Sequence, residues 1–518
     1  MKLLVAIPAV TVVFAAAAQT YRVSGTVVDS ESGAPLNRTR VALTGGPAGE
    51  LSVITTGNGR FSFDMPKGKY TLLAARRDWG LSYGQLGPAS GSESAIITGP
   101  DQDTSQILFR FRAPGAIHGK VVDEAGEPVA SAQVELFYTA INGGMKRLTS
   151  IGRAESDDFG DYSWSAIPGG TYYLVATGAP WYFSDEFART TLNSAGRPPA
   201  PYAPTYYPGV TDARGATPLV LRPGGEVQAD FVLRPAAGAN LSFVCPNSTC
   251  SGALKLCAMG LGGVETVVGT TGMPEPGMIP AVLAGRYVVR YTGDEGNMRK
   301  SVDVAGGDVT VEIVPKPGPS LAGQVSFQDS ADPPRHPIYV ALLDEDGGKP
   351  LTAPLGPDGR FSWTTVAAAR VRFLLSSDDG FFVSKMSVDG ANVKDGVIEM
   401  VDGAKVQLNV VASNETGRLK GVAMDGDKPA PGVTVVLAPA TGANDPLRYL
   451  GYQTESDGSF DWPSVPAGDY VLFAVDNQEL EYANPTISSP YLAGGKRVRI
   501  EPHDIQTLNI GLTQAAGR

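Results

Sequence analysis

Asp457-Gly-Ser-Phe-Asp-Trp-Pro-Ser-Val-Pro-Ala-Gly-Asp-Tyr-Val-Leu-Phe473 decides the reading of this chain, because the chain writes the phrase several times. Asn58-Gly-Arg-Phe-Ser-Phe-Asp-Met-Pro-Lys-Gly-Lys-Tyr70 and Phe159-Gly-Asp-Tyr-Ser-Trp-Ser-Ala-Ile-Pro-Gly-Gly-Thr-Tyr172 are further copies. Asp358-Gly-Arg-Phe-Ser-Trp363 is another, whose second half has decayed to Val366-Ala-Ala-Ala-Arg-Val371. Each reads as turn, strand, turn, strand. Asp-Gly or Asn-Gly supplies a residue that tolerates positive φ. The aromatics at i and i+2 face one side of a strand. Pro-x-Gly breaks that strand, and Tyr opens the next. Gly59, Gly160, Gly359 and Gly458 are spaced by 101, 199 and 99 residues, close to multiples of one domain length. The chain therefore reads as an array of similar units.

Length and composition agree. A chain of 518 residues holds about three to five domains. Gly (63) and Pro (40) are plentiful and charged residues make up only 18%, as many short strands joined by turns require. Met1-Lys-Leu-Leu-Val-Ala-Ile-Pro-Ala-Val-Thr-Val-Val-Phe-Ala-Ala-Ala-Ala18 has an early positive charge, an apolar run and a small-residue end. That is the pattern of a secretory signal peptide cleaved after Ala18. The run falls short of the roughly 20 apolar residues a membrane span needs. The mature chain is expected to be secreted or periplasmic, monomeric and without a membrane span. The net charge of −11 becomes −12 when Lys2 leaves with the leader. An acidic chain lacks the basic face that nucleic acid demands.

After the signal peptide (1–18), the grammar divides the chain into units at 19–113, 114–235, 236–316, 317–413 and 414–518. The first opens Tyr21-Arg-Val-Ser-Gly-Thr-Val-Val-Asp29, with Val23, Gly25 and Val27 on one face. The second opens Gly115-Ala-Ile-His-Gly-Lys-Val-Val-Asp123 and carries a long insertion, roughly Ala179 to Thr217. The third is degenerate, keeping Leu283-Ala-Gly-Arg-Tyr-Val-Val289, and it holds all three cysteines. The order of strands and turns predicts an all-β chain of about five antiparallel sandwiches, each with about seven strands. Alternation along the strands implies one buried and one solvated face per sheet.

The run Gly119 to Asp123, Gly126 to Pro128, Val134 to Leu136, Gly160 to Tyr162 and Pro168 to Tyr172 resembles the carboxypeptidase regulatory-like domain. Units one, two and five carry the pattern well, four in part and three weakly. The resemblance implies a transthyretin-like or starch-binding-like sandwich, related to collagen-adhesin B-type modules. It also implies exported, non-catalytic modules, several of which bind carbohydrate or proteins. An adhesin-like stalk is the alternative it carries, with Lys420 and Asn509 as a conceivable isopeptide pair. A hydrolase with an unrecognised carboxylate site is the remaining alternative.

Residues that carry chemistry are sparse. The three histidines, His118, His336 and His503, stand in separate units without zinc-peptidase spacing. The acidic groups Asp157-Asp158, Asp344-Glu-Asp346 and Asp378-Asp379 lack the spacing of a calcium loop. No catalytic residue, metal ligand or cofactor site is therefore assigned. Export makes a Cys245–Cys250 disulfide plausible, leaving Cys257 buried and unpaired. The aromatics Phe61/Phe63, Tyr162/Trp164, Phe361/Trp363 and Phe460/Trp462 read as core. The insertion aromatics Trp181, Tyr182, Phe183, Tyr202, Tyr206 and Tyr207 lie between prolines and are the candidate binding residues, for a glycan or a surface protein.

Overall fold

The computed structural model describes residues 19–46, 49–76, 80–83, 95–100, 102–181, 202–236, 238–246, 250–261, 265–273, 277–328, 334–345, 350–366, 370–442, 444–477 and 479–514. The signal peptide read at 1–18 lies outside them. The chain divides into two units; one ends at Phe111 and takes in Glu455–Asp457, and the other holds the remainder from Arg112. No helix among the described residues is long and apolar enough to cross a membrane.

The described strands form ten sheets, which pair along the chain into five sandwiches. In the second, Gly115–Val122 runs between Asp161–Ile167, antiparallel, and the short strands Glu226–Gln228 and Phe231–Val232, parallel. Its other sheet sets Gln133–Asn142 between Met145–Glu155 and Gly170–Thr177. The first sandwich repeats this with Thr20–Asp29 between Arg60–Pro66 and Ile107–Phe111. The third, fourth and fifth do so with Gly238–Val244, Ser320–Phe327 and Thr416–Asp425. Parallel neighbours need a crossover. Here the second sheet of each sandwich is the crossover, so the first and last strands lie side by side.

Three sequence marks build each repeat. The turn glycines Gly59, Gly160, Gly359 and Gly458 have φ of 71°, 76°, 74° and 74°, where a side chain is disfavoured. Each places its carbonyl to accept the N–H of Val27, Val121, Val325 or Ala423 in the first strand, at 2.8–2.9 Å. The first-strand glycines Gly25, Gly119 and Gly421 let the parallel last strand approach. A Cβ there would lie only 2.0, 2.0 and 1.7 Å from the carbonyl oxygens of Ile107, Ala229 and Leu508. The tyrosine after Pro-x-Gly donates its hydroxyl back four residues, Tyr70 to Pro66 O (3.0 Å) and Tyr470 to Pro466 O (2.9 Å). Tyr287 does the same to Leu283 O (2.9 Å), so the degenerate third unit keeps this corner.

Cores follow the alternation. Val23, Val27, Phe61, Phe63, Tyr70, Phe109 and Phe111 fill the first sandwich. Ile117, Val121, Val134, Leu136, Tyr162, Tyr172 and Phe231 fill the second. The fifth departs from one-sided burial, because Val435, Val436, Leu437 and Ala438 are all buried. Val436, Ala438, Phe473 and Val475 form a second apolar layer on the outer side of that sheet. It is covered by Leu480, Tyr482, Ala483 and the helix Pro485–Leu492, whose N-cap Asn484 accepts the N–H of Thr486.

The tip of the second sandwich's hairpin completes this cover. Gly143 and Gly144, at φ of 56° and 76°, turn the chain between Gln133–Asn142 and Met145–Glu155. Met145 packs into the layer, and the N–H of Ala483 donates to Gly144 O at 2.9 Å. A Cβ on Gly144 would sit 2.3 Å from the Tyr482 ring. Separately, Arg372 of the fourth sandwich, 9% exposed, donates to Glu345 (2.5 Å), Asp395 O (2.8 Å) and Asp445 of the fifth (2.8 Å).

Candidate functional site

A groove of about 800 Å³ opens on the outer face of the second sandwich. Alternation turns His118 and Lys120 outward along the first strand, and Asp161 and Ser163 outward along its antiparallel neighbour. Pairing sets His118 between Ser163 and Gln228, which makes one rung across the sheet. Lys120 opposite Asp161 makes the next rung, with Asp230 on its other side. Asp230 accepts the backbone N–H of Lys120 at 2.9 Å and the Gln228 amide at 2.8 Å. The Lys120 ammonium donates to Phe159 O at 2.9 Å and lies 3.4 Å from Asp161.

Arg153, Ala154 and Glu155 of the neighbouring edge strand wall one side, and Glu135 holds Arg153 in place. Tyr162 and Trp164 line the groove from the core-facing side of their strand, opposite to Asp161 and Ser163. Tyr162 is buried, and its hydroxyl donates to Ala229 O. Burial above all, then the nearby Asp230 and Tyr207, pushes its phenol well above the ordinary range, so it stays a donor. Trp164 is half-buried, and its indole N–H is buried without a hydrogen-bond partner among the described residues. Beside His118, two cations and four carboxylates line the groove. The first sandwich has a groove of about 830 Å³ in the equivalent place, lined by Arg22, Ser24, Thr26, Ile54, Arg60 and Leu108 among others. The hollow belongs to the repeat, whereas the rungs of alternating charge and amide belong to the second sandwich.

The insertion aromatics divide. Trp181 is 84% exposed, while Tyr182 and Phe183 lie outside the described residues. Tyr202, proposed from sequence as a binding residue, is a core residue at 7% exposure. The reason is that the end of the insertion joins the sandwich: Tyr202 bridges Pro235, and Thr205–Tyr206 pairs with Ala176 and Val175. Tyr206 and Tyr207 are half-buried, and the Tyr207 N–H donates to Leu174 O at 3.1 Å. Burial first, then Asp212 and Glu135, raises the Tyr206 phenol. Of the described members of the set, Trp181 is the most exposed.

Cys245 and Cys250 are joined in a disulfide with their Cα atoms 6.0 Å apart. Cys257 is a free, buried thiol in the strand Gly252–Met259. His118, His336 and His503 are exposed, and His336 Nδ1 pairs with Asp379 at 2.7 Å. Lys420 and Asn509 are both exposed. No group of three His, Cys, Asp or Glu among the described residues is arranged to hold a metal.

The groove was not read from the sequence, although one signal pointed to it. At the turn before the glycine, three copies place Asn58, Asp358 and Asp457, and the second places Phe159.

The first sandwich carries the decisive match. Residues 22–85 match the carboxypeptidase regulatory-like domain. The carboxypeptidase regulatory-like stretch contains Gly25, Gly59 and Tyr70, the three marks that return as Gly119, Gly160 and Tyr172, and as Gly421, Gly458 and Tyr470. No curated protein matches the chain in sequence. Among solved structures, the chain is similar to the TIE protein of Bacillus anthracis at 11% identity and TM-score 0.18, covering 76% of this chain and 74% of that one. It is similar to the minor pilin of Streptococcus agalactiae at 14% identity and TM-score 0.22, covering 42% and 96%. It is also similar to the shaft pilin of Lactobacillus rhamnosus GG at 12% identity and TM-score 0.20, covering 42% and 98%.

Proposed function

We propose that this chain is an exported, non-enzymatic binding protein whose partner is a glycan or a surface protein. The observation that carries the reading is the seating of Gly144 and Met145 of the second sandwich on the fifth. A stalk gains reach by stringing its modules end to end. A hairpin tip docked three modules further along the chain favours a gathered body within the unit that begins at Arg112. Such a body offers outward faces for recognition, among them the groove and the exposed Trp181, with Tyr182, Phe183, Tyr206 and Tyr207 as its neighbours in the insertion. The leader read in the sequence at Met1–Ala18 supports a location outside the cytoplasm, in the periplasm or beyond. The match of residues 22–85 to a regulatory-like module supports the non-enzymatic part of the reading.

A cysteine pair tests the gathered body in the full chain. An ideal Cβ on Gly144 lies 2.8 Å from the Ala483 Cβ. Bridged cysteines need about 3.5–4.5 Å, so Gly144→Cys with Ala483→Cys should form a disulfide once Tyr482→Ala removes the ring that lies 2.3 Å from the Gly144 Cβ. Peptide mapping without reductant should find it in most molecules; a pair that stays reduced under mild oxidation refutes docking and restores the stalk. Incubation with a polysaccharide panel should give binding without turnover. Turnover abolished by one Asp or Glu substitution would make the protein a hydrolase.

A further inference from the structure

Three groups at the second sandwich's groove, Phe159, His118 and Ser163, have no structural task that explains them. Phe159 occupies the turn position where the other copies carry Asn58, Asp358 and Asp457. Asn and Asp suit such a turn because their side chains bond the nearby backbone. Here Asp157 does that work, accepting the N–H of Phe159 and of Asp161 at 2.9 Å each. Phe159 is thereby released from the turn's needs, yet it is 70% exposed, and its own carbonyl anchors Lys120, which lines the groove. Trp164 also lines the groove while packing on the core, and its buried N–H has no acceptor among the described residues. His118 and Ser163 face each other on the next rung and are both exposed.

We propose that this groove is a carbohydrate subsite for a neutral oligosaccharide, with Phe159 beneath a sugar ring and the two rungs bonding its hydroxyls. The proposal rests on the binding reading above and names its ligand class. The chemistry of the lining selects that class. Donors (His118, Lys120, Arg153) stand beside acceptors (Asp161, Asp230, Glu155), with Ser163 and Gln228 able to do either. A hydroxyl both donates and accepts, so a polyol can use every neighbour. A polyanion would meet four carboxylates against two cations, and a polycation would leave the donors unused. The equivalent groove of the first sandwich offers Ile54 and Leu108, 60% and 46% exposed, in place of a charged ladder. It is not expected to share the ligand.

The test uses the whole mature chain against immobilised cello-, xylo-, manno-, malto- and chito-oligosaccharides, with polygalacturonate and heparin as acidic probes. Phe159→Asn restores the residue type of the other copies and leaves the turn intact. His118→Ala removes one rung, and Trp181→Ala probes the insertion. At least one neutral series should bind, and that binding should fall tenfold or more in Phe159→Asn and in His118→Ala. It should be unchanged in Trp181→Ala. Saturating ligand should shift tryptophan emission in the wild type, and Trp164→Phe should remove most of that shift. Neutral-glycan binding lost in Trp181→Ala and kept in Phe159→Asn overturns the groove but leaves the binding reading intact. Capture of acidic probes alone overturns the ligand class. Absence of glycan binding alongside saturable capture of a protein partner overturns this proposal and leaves the broader reading standing.

Discussion

Replacing Gly119 by Ala tests why the repeat begins as it does. A Cβ at this position would lie 2.0 Å from Ala229 O, 2.6 Å from its carbonyl carbon and 3.0 Å from the Tyr162 ring. Ordinary contact is about 3.5 Å, so the last strand must retreat by more than an ångström. That retreat breaks the Ala229 N–H bond to His118 O (2.8 Å), the Asp230 bond to Lys120 N (2.9 Å) and the Tyr162 hydroxyl bond. Net losses of about 1 kcal/mol per bond, with about 1–3 kcal/mol for overpacking, give about 4–6 kcal/mol. At about 1.4 kcal/mol per decade, amide exchange over Gly115–Val122 should accelerate by about a thousandfold or more. Hydrogen-exchange mass spectrometry of the full chain reads this peptide by peptide. Gly126→Ala is the control, since Gly126 has φ of 84° but nothing within 4 Å of its missing Cβ. It should cost only the left-handed backbone penalty of about 1–2 kcal/mol. If Gly119→Ala exchanges no faster than Gly126→Ala, the close-approach account of the first-strand glycine is refuted.

Tyr470→Phe should destabilise the fifth sandwich by about 1 kcal/mol, seen as faster exchange over Ser459–Val475, because the Pro466 carbonyl loses its donor; no change would make the corner ornamental. Reducing Cys245–Cys250, which encloses a loop of a few residues, should cost the third sandwich about 2 kcal/mol in denaturant midpoint experiments. Cys257 should resist alkylation until that sandwich unfolds, and labelling of the native chain would contradict its burial. Arg372→Met should loosen the Pro446–Arg448 segment of the fifth sandwich as well as its own strand, since Asp445 loses its cation; exchange confined to the fourth sandwich would argue against a link. The Asp379 carboxyl is held below its ordinary value by the His336 N–H and ring, then by the Arg335 N–H. A depressed carboxyl gives its stabilisation at neutral pH and loses it only as pH falls through the lowered value. Protection of the His336 amide should therefore outlast the pH at which ordinary carboxylates protonate, and earlier loss would refute the tie.

Local grammar was legible in the sequence because it depends on residues a few places apart. Gly59, Gly160, Gly359 and Gly458 adopt the positive φ their turns require. Phe61, Phe63, Phe361, Phe460 and Trp462 are buried as the i, i+2 pattern implies, while Trp164 and Trp363 stop half-way. What escaped reading depends on pairing over long separations. The rung of His118 with Gln228 joins residues 110 apart through a parallel pair, which no local period announces. The second apolar layer of the fifth sandwich shows in sequence only as Val435-Val436-Leu437-Ala438, a run that alternation treats as half exposed. Its helix, Pro485–Leu492, is eight residues long with Pro490 inside, too short and too interrupted to show a period. Tyr202 misled for the opposite reason: an aromatic between prolines has the same composition whether it faces solvent or a sandwich.

The side-by-side first and last strands also decide how each sandwich meets tension. A force on the chain pulls the start of the first strand one way and the end of the last strand the other. Because these strands run parallel, the pull acts along them and every rung is strained together, where a hairpin of antiparallel ends would peel one rung at a time. The fourth sandwich holds eight consecutive rungs in this arrangement, Ser320 with Lys405 through Phe327 with Ala412. The third holds four, Leu241 with Val309 through Val244 with Glu312. In the second and fifth, the last strand is interrupted into two short pieces. Under tension the chain would thus yield first where its last strands are broken, and the fourth sandwich would be the last to slide.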